Sequence, residues 1–124
     1  MRVCVIGAGY VGLVTGACLS DIGHRVVCMD DNAAKIEVLL RGELPIYEPH
    51  LDQMVRRARA GGHLSFTTDV ATAVEGAEIA FICVNTPPLP SGEADLSFVE
   101  AATRRVAEHA AHDLLITEKS TVPV

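Results

Sequence analysis

Near the amino terminus, Gly7-Ala8-Gly9-Tyr10-Val11-Gly12 spells GxGxxG directly after the apolar run Arg2 to Ile6. A strand that ends in such a turn and feeds a helix can cradle a pyrophosphate. Gly7 would make the turn, Gly9 would let the phosphates approach the backbone, and Gly12 would let the helix lie close to the sheet. Tyr10 and Val11 open that helix, whose first amide groups would face the phosphates. Alone the spacing is a weak signal, because glycines also serve ordinary tight turns. Its context is stronger: Asp30 stands 18 positions past Gly12, at the close of the next apolar run, RVVCMD. A carboxylate there can accept hydrogen bonds from both hydroxyls of an adenosine ribose and would repel a phosphate esterified to one of them, so the dinucleotide implied is NAD rather than NADP. Lys35, one turn into the following helix, is placed to reach the same ribose, and Asp31 reads as a helix-start residue.

Two later segments, VNTPP and KSTVPV, each follow an apolar run and each set a threonine close to proline. The proline stiffens the backbone and the hydroxyl remains free to hydrogen-bond, which singles out Thr86 and Thr121. Glu118 and Lys119 beside the second turn read as ordinary surface charges.

The elements that must position these residues alternate along the chain. Continuous apolar runs at Arg2 to Ile6, RVVCMD, HLSFTT, EIAFICV and DLLIT read as strands. Between them, Tyr10 to Ile22, Asn32 to Leu40, Leu51 to Ala60, a short turn capped by Asp69 and running through Val74, and Leu96 to Ala111 read as helices. Gly23, Gly42 and Gly61-Gly62 stop three of them. The prolines of ELPIYEP and TPPLPSGEAD leave those stretches as loops. Unbroken apolar strands alternating with helices predict a Rossmann-type doubly wound parallel α/β sheet of about five strands in the order 3-2-1-4-5. In that order the glycine turn, the end of the second strand and both threonine turns open onto one crevice.

The chain has 124 residues, 49% of them hydrophobic, which suits a single compact domain over 1–124. The formal net charge of −6 argues against a nucleic-acid partner, while backbone amides can still bind a small anion. No apolar run approaches the roughly 20 residues that span a bilayer, and the start of the chain lacks a leader pattern, so a soluble cytoplasmic protein is expected. Cys4, Cys18, Cys28 and Cys83 show neither a CxxC pair nor metal-ligand spacing; Cys4, Cys28 and Cys83, within apolar runs, read as small core hydrophobes, a reducing compartment follows, and no metal is expected.

Together GAGYVG, RGELPIYEPHL, VNTPPLPSGEADL and EKSTVPV, in this order, resemble the UDP-glucose/GDP-mannose dehydrogenase family over essentially the whole chain. LPIYEP with Tyr47 is closer to the UDP-glucose branch. The resemblance implies an NAD-binding amino-terminal domain of an enzyme that oxidises the C6 alcohol of a nucleotide sugar, UDP-glucose, to a carboxylate with two NAD. It implies cofactor contacts from Gly7, Gly9, Tyr10, Val11, Gly12, Asp30, Lys35, Thr86 and Thr121, with Thr121 also positioning a water or the substrate oxygen. A catalytic cysteine and the sugar-nucleotide site would come from a later part, so none of the four cysteines here inherits that role and the chain by itself is expected to be inactive. It also implies a homo-oligomer. His50 departs from the pattern, standing where the family has glycine after YEP, and reads as a tolerated surface substitution. The chain ends at Val124 inside a motif the family continues with Gly-Thr, which leaves the fifth strand as a sheet edge and predicts self-association. A non-catalytic NAD-binding module, or the same domain of a GDP-mannose or UDP-N-acetylmannosamine dehydrogenase, is the alternative.

Overall fold

The computed structural model describes residues 1–121. Its elements are β1 (Arg2–Ile6), α1 (Tyr10–Asp21), β2 (Arg25–Met29), α2 (Ala33–Leu40), α3 (Leu51–Ala60), β3 (Leu64–Thr67), α4 (Val70–Val74), β4 (Ile79–Ile82), α5 (Ser97–His109) and β5 (Leu115–Glu118). All neighbouring strands are parallel, in the order β3-β2-β1-β4-β5, as the alternation of strand and helix patterns predicts.

Two cores explain why β1 is apolar at successive positions rather than alternate ones. Val3 and Val5 enter the layer under α1, α2 and α3, with Leu13, Ile36, Leu39 and Leu51. Cys4 and Ile6 enter the opposite layer under α4 and α5, with Val70, Val74 and Val106. A strand covered on both faces has no position to give to water. In α1, close approach to the sheet needs Gly16, where an added Cβ would come within 2.6 Å of the Cys28 sulfur. Ser20, the buried polar residue of that helix, donates its hydroxyl to the Gly16 and Ala17 carbonyls and so carries no unmet hydrogen bond.

Helix ends differ from the sequence reading by a residue or two. The α2 cap is Asn32, whose Oδ1 accepts from the Lys35 amide at 3.1 Å, and not Asp31. The cause is Asp30, whose Oδ1 accepts from the Asn32 amide at 2.9 Å and turns the chain one residue later. Asp69 caps α4 as expected, receiving the Ala71 and Thr72 amides. The proline-rich stretch after β4 is more ordered than a plain loop: Leu89 donates to Glu93 and Asp95 to Pro87, at 2.7 and 2.8 Å. These bonds flank a Pro88–Ala94 bridge in which proline needs no N–H of its own. Among the described residues no helix is long and apolar enough to cross a membrane.

Candidate cofactor crevice

The carboxyl ends of β1, β2 and β4 open into a cavity of about 700 Å³. Gly7, Gly9, Asp30, Lys35 and Thr86 all line it, so five of the residues singled out by type and spacing meet in one place.

The three glycines of the first turn answer to different constraints. Gly7 has φ +106°, a left-handed conformation, and a Cβ there would lie 2.4 Å from the Cys83 carbonyl oxygen where β4 ends. At Gly12 a Cβ would sit 1.7 Å from the Gly7 carbonyl oxygen, so the turn and the helix cannot close on each other with any side chain present. Gly9 is unlike both: φ is −79° and an added Cβ would meet nothing within 4 Å. Nothing inside the protein requires glycine at position 9, and the open side is the cavity itself. No side chain caps α1, so its first-turn amides keep their donors for whatever fills that space.

Asp30 stands at the rim with its side chain mostly covered. Its Oδ2 accepts from the Ala8 amide at 2.9 Å and from Lys35 Nζ at 3.3 Å, and Oδ1 accepts from the Asn32 amide. The Ala8 bond ties the acid to the glycine turn, so one residue fixes the end of β2 against the turn after β1. A carboxylate offers about four lone-pair directions, which leaves capacity for a ribose hydroxyl.

Tyr10 and Val11 are exposed and do not line the cavity with their side chains. Tyr10 instead donates its hydroxyl to Glu48 Oε2 at 2.7 Å, and that hydrogen bond, together with the carboxylate's charge, holds the phenol above its usual range. This contact explains the Glu of LPIYEP: it anchors the loop before α3 to the first turn of α1. His50, at the end of that loop, has φ +68°, so the turn that glycine adopts freely is retained with a histidine in it.

Thr121 lies beyond the cavity wall. The Lys119 and Ser120 amides both donate to the Ile82 carbonyl, which keeps the chain after β5 tied to the end of β4, but Thr121 itself is exposed and outside the lining. The remainder of its turn, Val122 to Val124, lies outside the described residues. Glu118 accepts from the Ser120 amide.

One wall was missed by motif reading. Phe98, Ala101, Ala102 and Arg105 of α5 line the cavity opposite Asp30. Their spacing of i, i+3, i+4 and i+7 is the signal of a single helix face, and Phe98 is 52% exposed because that face borders open space. Arg105 Nη1 reaches Asp31 at 2.7 and 2.9 Å, so the two acids ending β2 each hold a cation, Lys35 on one and Arg105 on the other.

Cys83 also lines the cavity, and burial pushes its thiol up to about 11. Burial likewise raises Cys4 to about 12 and holds Cys28 higher still. All four cysteines are free thiols, and only Cys18 is exposed. The described residues contain no cluster of histidine, cysteine and acids able to hold a metal.

The NAD binding domain of the UDP-glucose/GDP-mannose dehydrogenase family matches residues 1–124. A UDP-glucose 6-dehydrogenase of Rhizobium meliloti is 48% identical over all of this chain, which spans 29% of that relative. Among solved structures, a UDP-glucose dehydrogenase from Pyrobaculum islandicum superposes with a TM-score of 0.93 at 42% identity, covering 98% of this chain and 29% of its own. A GDP-mannose dehydrogenase from Pseudomonas aeruginosa reaches the same TM-score at 37% identity, with the same two coverages.

Proposed function

We propose, from the premise that this chain belongs to the UDP-glucose/GDP-mannose dehydrogenase family as its NAD-binding domain, that residues 1–124 are the amino-terminal part of a UDP-glucose 6-dehydrogenase. The higher identity to UDP-glucose than to GDP-mannose relatives supports the choice of sugar nucleotide. The whole enzyme would oxidise the C6 alcohol of UDP-glucose to a carboxylate, as a homo-oligomer in the cytoplasm. Four free thiols suit such a reducing compartment.

In this reading the α1 amides and the open face of Gly9 receive the pyrophosphate, and Asp30 orients the adenosine ribose with Lys35 beside it. The apolar wall from Phe98 to Ala102 shields the base. Thr86 hydrogen-bonds the cofactor from the end of β4, while Thr121, outside this cavity wall, is left the role of positioning a water or the substrate oxygen from the β5 side. NAD, when bound, supplies the hydride acceptor. With thiols pushed far above neutral pH, none of Cys4, Cys28 or Cys83 is a nucleophile, and Cys18, exposed on α1, lies outside the cavity lining, so the reactive cysteine belongs to another part of the enzyme.

The observation that carries this reading is the hydrogen bond from the Ala8 amide to Asp30, which joins the glycine turn and the ribose acid into one unit facing one cavity. Calorimetry tests it. The chain should bind NAD better than NADP, and Asp30→Ala should weaken NAD by about tenfold, about 1.4 kcal/mol, while narrowing that margin. An unchanged margin would remove Asp30 from the site. Mixed with UDP-glucose and NAD, the isolated chain should produce no NADH; turnover that scales with protein and survives thiol alkylation would refute the division of labour.

A further inference from the structure

The amino edge of the sheet carries a feature that the cofactor reading does not use. Arg2 and Arg25 are register partners on the parallel strands β1 and β2. Because Val26 pairs with Leu64 and its amide donates to the His63 carbonyl at 2.8 Å, His63 is next in the same row, at the entrance to β3. Alternation along the strands places the row on the α4 side of the sheet, since Cys4, Ile6 and Met29 all enter the core under α4 and α5. Three basic side chains therefore stand abreast on one face, lining a cavity of about 230 Å³.

Like charges side by side on neighbouring strands destabilise a sheet unless something offsets them. Elsewhere Arg41, Arg56, Arg57 and Arg105 each have a carboxylate partner and Arg59 donates to the Leu39 carbonyl over the Phe66 ring, while Arg104 has no ion-pair partner among the described residues but stands on α5, apart from this row. Among the described residues, neither the Arg2 nor the Arg25 guanidinium has an ion-pair partner. The nearby Glu78 is engaged by the Arg2 backbone amide at 2.8 Å. Arg2 is nevertheless held in place: its Nη1 lies where a Cβ on Gly76 would come within 2.7 Å, above the turn between α4 and β4. His63 Nδ1 is enclosed without a hydrogen-bond partner, a second unmet polar group at the same spot. Ser65 adds a hydroxyl to the lining, and Glu75 is the one carboxylate on it.

From this row we infer that Arg2, Arg25 and His63 form a second anion site, at the edge of the sheet away from the cofactor crevice, which takes a phosphate group. Both arginines line one cavity, and Arg is the side chain whose geometry matches a phosphate anion. The phosphate can be free or the end of a small ester.

The test is a titration of the isotopically labelled chain with inorganic phosphate at constant ionic strength, read at the Arg2 and Arg25 Nε–H and the His63 ring signals. Saturable shifts confined to these groups are expected. Arg25→Gln should weaken the response about tenfold and Glu75→Gln should strengthen it about threefold. Glycerol 1-phosphate is run alongside: tighter saturation by the ester identifies an ester ligand, and equal or weaker saturation identifies the free anion. Arg2→Gln serves as a second variant should Arg25→Gln fail to fold. Shifts that grow linearly with phosphate, or that persist unchanged in both variants, would show an adventitious ion only and overturn the site. NAD titration of the same samples should be unaffected by either variant, so this site and the cofactor reading stand or fall separately.

Discussion

The carboxyl and amino edges of one sheet treat positive charge in opposite ways. At the carboxyl edge Lys35 is held by Asp30 and Arg105 by Asp31, so each of these cations facing the larger cavity is matched. At the amino edge Arg2 and Arg25 stand together unmatched among the described residues. A formal net charge of −6 therefore says little about which anion any one surface accepts. What decides is whether a carboxylate already occupies the cation. Matched cations leave room for ribose hydroxyls and resist an added phosphate; unmatched ones invite it.

The largest expected effect sharpens the contrast within the carboxyl edge itself. Gly12→Ala, whose Cβ meets backbone and cannot be accommodated by a side-chain shift, should lower stability by about 3 kcal/mol or more in urea unfolding. Gly9→Ala, whose Cβ meets open space, should unfold within about 0.5 kcal/mol of the parent yet lose NAD affinity about tenfold or more. Full NAD affinity in Gly9→Ala would deprive this edge of its claim to the cofactor.

A smaller effect probes the matching of charges. Asp31→Asn, which releases Arg105, should raise NADP affinity about fivefold, the weight of one charged hydrogen bond near the surface. Asp31→Asn combined with Arg105→Gln should cancel the gain. If the double variant keeps it, Arg105 is not the group that receives the extra phosphate.

The smallest effect is at the other edge and has the opposite sign to ordinary ion-pair loss. Arg25→Gln relieves repulsion from Arg2 and should stabilise the fold by about 0.3 kcal/mol in low salt, fading as salt screens the pair. Melting temperatures at two ionic strengths measure this. A destabilised Arg25→Gln would mean that Arg25 already has a protein partner and that the two edges are not so different.

Much of the carboxyl edge and its cavity was legible because its residues follow rules of type. Glycines at 7 and 12 are demanded by backbone atoms, and apolar runs buried on both faces name the parallel strands. The α5 wall was not legible, since an arginine on a helix surface such as Arg105 has no sequence mark that separates a cavity wall from a solvated face. Helix capping by Asn32 instead of Asp31 depended on the Asp30 side chain folding back on the Asn32 amide, a choice between adjacent polar residues that periodicity does not make. Left-handed backbone at His50 was hidden for a similar reason: only the missing glycine hinted at it, and the side chain present there argues for the opposite conformation. Nor does a row across three strands, such as Arg2, Arg25 and His63, exist in one dimension; it appears only when register is known.

Cys83, at the floor of the larger cavity, sits where oxidative damage would block the crevice. With its thiol raised to about 11, only about one molecule in ten thousand carries the reactive thiolate at neutral pH. Peroxide should therefore reach exposed Cys18 first and leave the crevice chemically intact, giving the domain a built-in tolerance to redox stress.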